Sequence, residues 1–94
     1  MSRYNARNEQ GESFVYGFDR PLSEYFIQKR CGDELIDLVG YPVNRGTKNA
    51  FIICIEKHGI ILPDHHEQAV CMDLPFTDSV EQTASMIFAE GEQS

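Results

Sequence analysis

The side chains with the richest chemistry in this 94-residue sequence are three cysteines and three histidines. Cys54 and His58 stand at i and i+4, a spacing that shares one helix face, and His65, His66 and Cys71 follow closely. Thiolate and imidazole are ligands that suit zinc, so a small Cys/His zinc-binding domain is one reading. The paired C-x-x-C spacing of structural zinc sites is missing, and Cys54 lies inside the apolar run Ala50 to Ile55. A helix-terminal His58 with exposed His65 and His66 is the plainer expectation, and no metal is assigned. A Cys–His nucleophilic pair needs a thiolate within reach of an imidazole and a third group to orient it. Any chain with three of each offers that on paper, and no spacing here singles it out. Phosphate-cradling glycine loops, G-x-S-x-G and H-E-x-x-H do not occur. The expectation is a non-enzymatic protein with no catalytic residues and no cofactor.

Charge carries more information. Ile61 to Ser94 holds Asp64, Glu67, Asp73, Asp78, Glu81, Glu90 and Glu92 with no Lys or Arg, so it contributes 0 − 7 = −7, the whole net charge of the chain. The eight basic and eight acidic side chains before it cancel. Average usage of about 10% Lys plus Arg would place three or four bases in such a stretch. Phosphate contacts come from Lys and Arg, and the clustered acids would repel a duplex or an anionic membrane surface, so no direct nucleic-acid or membrane binding is expected. A partner protein with a basic surface would be attracted.

A second group sits at Asp19-Arg20, between Tyr16, Phe18 and Tyr25. An Arg presented among aromatics has the composition of an interface hot spot; the competing reading is a turn that closes a hairpin. The partner-binding set is therefore Asp64, Glu67, Asp73, Asp78 and Glu81, with Asp19, Arg20, Tyr16 and Tyr25.

Elements must position these residues. Met1 to Glu12 reads as a flexible polar arm without a period. Ser13 to Phe18 and Glu24 to Lys29 are rich in β-formers, and Pro21 with Asp19 predicts a hairpin loop of about four or five residues between them. Phe14 and Tyr16 fall on one face and Val15 on the other, while Tyr25 and Ile27 alternate with Phe26. Cys31-Gly32-Asp33 is a turn, and Glu34 to Val39 is a third strand or a short helix. Gly40, Pro42, Asn44, Arg45 and Gly46 make a loop. Lys48 to His58 is β-rich in composition, but Thr47 as N-cap, Lys57 and His58 in the last turn and Gly59 at C′ predict a helix. Asp64 and Glu67 have capping-box spacing for a helix to Leu74, stopped by Pro75. Asp78 and Glu81 repeat it for a last helix with Val80, Ala84, Ile87 and Phe88 inward, closed by Gly91. Caps and first-turn anions are a sufficient structural role for about half of these acids.

With 41% hydrophobic and 24% charged residues, the sequence suits one α+β domain over 13–91, followed by a short tail over 92–94. The sheet is antiparallel with two or three strands, and two or three helices pack on one face. An odd cysteine count argues against a disulfide framework. No apolar run approaches a membrane span, and MSRYNARNEQ lacks the apolar stretch of a signal peptide, so a cytoplasmic location is expected.

Phe14 to Gln28, with VYGFDRPLSEYF at its centre, resembles the opening of small bacterial and mobile-element proteins that begin with an aromatic strand and a Gly-aromatic-Asp-Arg-Pro turn. Glu56 to Pro63 is similar to a helix ending that such chains carry later. The resemblance implies the hairpin-then-helices order and no established activity. In composition the chain is similar to phage-encoded inhibitors, anti-CRISPR proteins among them, that occupy basic nucleic-acid channels of host machinery. The expected function is thus a small acidic inhibitor that binds a basic surface on a nucleic-acid-binding host complex. The alternatives are a structural module or homodimer assembled through an apolar sheet face, and the zinc domain above.

Overall fold

In the computed structural model, which describes residues 3–40 and 43–92, four strands precede three helices. They are β1 (Arg3–Arg7), β2 (Ser13–Asp19), β3 (Glu24–Cys31), β4 (Glu34–Val39), α1 (Lys48–His58), α2 (Asp64–Cys71) and α3 (Val80–Glu92). The α+β class is as expected, with one strand more. Met1, Ser2, Pro42, the Gln93–Ser94 tail and the Phe88 side chain lie outside the described residues. Glu92, expected in the tail, and Gly91, expected to close the last helix, both belong to α3.

The chain divides into two compact units, Met1–Ile61 and Leu62–Ser94. In the first, the strands form one antiparallel sheet in the order β1-β2-β3-β4. Arg3 to Arg7, expected as part of a flexible arm, is instead β1, paired with β2 from Arg3↔Gly17 to Arg7↔Ser13. Alternation explains it: Tyr4 and Ala6 share a face with Tyr16 and Phe14, while Arg3, Asn5 and Arg7 point the other way. Buried Asn8 closes the following turn. Its Oδ1 accepts from the Glu12 amide at 2.9 Å, and its Nδ2 donates to Glu12 Oε1 at 2.9 Å and to the His58 carbonyl at the end of α1 at 2.8 Å.

The β2–β3 hairpin turns through Arg20–Ser23, between Asp19 and Glu24, a four-residue loop as expected. Phe14, Tyr16, Tyr25 and Ile27 are buried on one sheet face. Glu34 to Val39 is a strand rather than a helix, joined to β3 by the two-residue turn Gly32-Asp33, with Gly32 at φ 64°. Helix α1 packs on β3 and β4 and centres on Phe51, whose ring lies 5.1 Å from Tyr25 and 6.3 Å from Tyr16. Its flanks decide helix over strand as anticipated. The Thr47 hydroxyl accepts from the Ala50 amide, and Gly59 at φ 64° lets the Gly59 and Ile60 amides donate to the Ile55 carbonyl.

In the second unit α2 and α3 pack on each other, so of the helices expected on one sheet face, α1 is the one whose contacts with the sheet are established. Helix α2 stops at Cys71, short of Leu74. Asp73 at φ 58° ends it: the Asp73 amide donates to Val70 O at 3.0 Å and the Leu74 amide to Ala69 O at 2.8 Å, a Schellman pair with Asp73 at the position glycine usually takes. Among the described residues no helix is long and apolar enough to cross a membrane.

Candidate functional site

The acidic residues sit where two short helices begin and where one ends. Asp64 and Glu67 lie in the first turn of α2, Asp73 at its end, Asp78 just before α3 and Glu81 in its first turn; all five are exposed. Adjacent helices place these carboxylates on one unit, Leu62–Ser94, which lies wholly within the stretch that follows the last base, Lys57.

Neither expected capping box forms as anticipated. The N-cap of α2 is Pro63, whose carbonyl accepts from the His66 and Glu67 amides and which offers no side-chain cap. Asp64 is therefore the first helical residue. At α3 the cap lies one position later: Ser79 Oγ accepts from the Gln82 amide at 3.2 Å, while Gln82 Oε1 accepts from the Asp78 amide at 3.1 Å. These acids retain a favourable interaction with the helix N-terminal partial charge, but capping does not fix them in place.

Behind the acids lies a polar lock. His66 is 2% exposed, and its Nε2 lies 2.7 Å from the Thr77 carbonyl. A carbonyl only accepts, so Nε2 carries the proton and Nδ1 of the neutral ring is the unprotonated nitrogen. The ring stands 4.9 Å from Phe76 and 4.3 Å from His65. Burial holds the His66 pKa below its ordinary value, assisted by His65 and opposed by the Thr77 bond and Asp78. The Thr77 hydroxyl bonds with that of Thr83, which is 1% exposed, tying the loop to α3.

Tyr16 and Tyr25 are removed from the partner-facing set. Each is 1% exposed and built into the α1-facing core, where burial pushes the Tyr16 phenol far above its ordinary range. Asp19 takes the structural role: its Oδ1 accepts from the Leu22 amide at 3.4 Å. Arg20 is exposed at the tip.

Cys54 and His66 are both buried, Cys31 and Cys71 are exposed, and among the described residues no group of three or more His, Cys, Asp or Glu is placed to hold a metal ion. Burial also raises the Cys54 thiol, so it stays protonated and makes a poor nucleophile or ligand.

One arrangement escapes sequence reasoning. On the sheet face opposite α1, Arg3 Nη2 donates to Gln28 Oε1 at 2.7 Å, Gln28 Nε2 donates to Asp37 Oδ1 at 2.8 Å, and the guanidinium lies 6.0 Å from the Phe26 ring centre. Gly17, between Arg3 and Phe26 in the register, leaves the space for this reach across β2. The chain of bonds crosses an open depression that Asp19, Leu22 and Glu24 also line. Its residues come from three strands, one of which the polar N-terminus conceals, although Arg3-Tyr4-Asn5-Ala6-Arg7 does carry a period of two.

Comparison with protein-family models, with curated proteins and with solved structures finds no match.

Proposed function

We propose that the chain is a non-enzymatic binding protein whose Leu62–Ser94 unit engages a basic surface on a partner protein. The observation that carries this reading is the coincidence of charge with structure: one compact unit holds all seven uncompensated acids, and the remainder nets zero. Support also comes from α2, where Pro63 and not Asp64 occupies the cap, so the carboxylate there is not needed to satisfy backbone amides. A one-signed carboxylate surface has the charge pattern of a phosphate backbone, and a nucleic-acid-binding host complex is the partner class it suits, with inhibition as the outcome. Assembly through an apolar sheet face receives less support, because α1 packs on one face and the Arg3–Gln28–Asp37 chain crosses the other.

The test is the salt dependence of complex formation. Screening acts within about 8 Å at physiological ionic strength, so affinity should fall steeply as salt rises. Reversal of Glu67 and Glu81 to Lys should slow association more than it speeds dissociation. Affinity that is the same at low and high salt would refute the proposal.

A further inference from the structure

Strand β4 is an edge of the sheet, and the arrangement of its backbone shows which groups are on offer. Cys31 and Glu34 close a two-residue turn, which makes them a pair that exchanges both backbone bonds. Pairs then alternate, so Ile36 bonds to Lys29 across the ladder while Leu35 and Asp37 turn their N–H and C=O groups away from β3. Among the described residues, strand order puts no further strand beside them. The usable edge stops at Leu38, whose carbonyl accepts from Asn44 Nδ2 at 3.2 Å. Leu35 and Ile36 are large apolar side chains left 37% and 47% exposed.

Side chains alternate along this edge, so Glu34 and Ile36 project to one sheet face and Leu35 and Asp37 to the other. Each face therefore offers one carboxylate and one apolar side chain. The complement is a strand that reads basic, apolar, apolar, basic. A second copy fits poorly. Antiparallel self-pairing must set outward-facing residues against outward-facing residues, which opposes Asp37 to Asp37 or Asp33 of the copy, or to Leu35 of the copy. Like charges directly opposed destabilise a sheet, and a carboxylate against leucine is desolvated without a partner.

We infer that the Glu34–Asp37 edge of β4 is a docking site for an extended peptide segment with a basic-apolar-apolar-basic core, added to the sheet as a fifth strand. Backbone bonds at Leu35 and Asp37 supply attachment, and the carboxylates of Glu34 and Asp37 select the sequence. This site belongs to the first unit, and the inference does not rest on the function proposed for the second.

The test uses the full chain and capped peptides with the core Arg-Val-Ile-Arg, followed by backbone-amide NMR. Saturable binding is expected, with shifts centred on residues 34–37 and amide exchange at Leu35 and Asp37 slowed about tenfold or more at saturation. Of the two alternate sets of peptide amides, N-methylation of one should abolish binding and of the other preserve it. A Glu34→Lys/Asp37→Lys variant should lose this peptide and gain the Glu-Val-Ile-Glu counterpart, a swap that a misfolded variant would not give. Glu67→Lys/Glu81→Lys should leave the peptide-induced shifts centred on residues 34–37. The inference is overturned by absence of saturable binding, by indifference to N-methylation, by failure of the charge swap, by peptide-induced shifts centred on residues 64–82 instead of 34–37, or by concentration-dependent shifts at 34–37 without peptide, which would mark self-pairing.

Discussion

Gly46→Ala isolates one close approach on which the first unit depends. Past the end of β4 the chain runs back along β3, where the Tyr25 amide donates to Gly46 O at 2.7 Å and the Gly46 amide donates to Glu24 Oε1 at 2.7 Å. A Cβ at position 46 would lie 1.9 Å from the Tyr25 carbonyl oxygen and 2.9 Å from its carbon and nitrogen. Real contacts of that kind do not fall below 3.0 Å, so the strand or the loop must retreat by at least 3.0 − 1.9 = 1.1 Å. A retreat of that size breaks both hydrogen bonds and leaves a donor on buried Tyr25 without its acceptor, at about 1–3 kcal/mol for the orphaned group. Loss of the second bond adds roughly 1 kcal/mol, and the smaller entropy of an alanine chain when unfolded returns about 0.5–1 kcal/mol. The net expectation is a destabilisation of about 1–3.5 kcal/mol. All four tyrosines, Tyr4, Tyr16, Tyr25 and Tyr41, fall in the first unit, and the chain has no tryptophan. The tyrosine band of the near-ultraviolet circular dichroism, followed in a urea titration, therefore reports on this unit, apart from Phe76 and Phe88 of the second. The midpoint should fall with an unchanged slope. A midpoint shift that corresponds to less than about 0.5 kcal/mol would refute the close approach as described.

Three further outcomes follow for the second unit. Asp73→Gly removes a non-glycine residue from the left-handed conformation and should stabilise the unit by about 1 kcal/mol, read by amide NMR during denaturation; a loss of stability would deny the Schellman assignment. Ser79→Ala should cost about 1 kcal/mol of helix α3 while Asp78→Ala costs clearly less, and the reverse order would move the cap back to Asp78. His66 favours its neutral form when folded, so its contribution is complete above the unfolded pKa of about 6.5, declines as pH falls from there to the lowered folded value, and is gone below it. The His66 ring resonance should titrate below 6.5, and a midpoint at or above 6.5 would contradict a neutral buried ring.

What was legible in the sequence was whatever local chemistry fixes. Thr47 and Gly59 marked α1 despite the β-rich run Phe51 to Ile55, because a cap and a left-handed glycine settle a helix that composition leaves ambiguous. The hairpin was legible from alternation and from Pro21. Strand β1 was not, because only Tyr4 and Ala6 mark its covered face, and two small patches of apolar surface do not outweigh the polar residues beside them. The α3 cap slipped by one because Asp78-x-x-Glu81 and Ser79-x-x-Gln82 both satisfy the pattern. Tyr16 and Tyr25 looked available for a partner because the side of the sheet that α1 covers is a tertiary fact. The Arg3–Gln28–Asp37 chain needed the full four-strand register.

The acidic unit is the centre of the account, and its contact with a partner can be caught directly. Photo-crosslinking residues placed at Gln68 and Gln82, exposed neighbours of the acids, with a control at exposed Ile53 in the first unit, would be irradiated in the native cell and the products read by mass spectrometry. Crosslinks from both second-unit sites to one Lys/Arg-rich surface, lost with Glu67→Lys/Glu81→Lys and at raised salt, are the predicted result. Crosslinks that come only from Ile53, or that persist unchanged through the charge reversal, would contradict it.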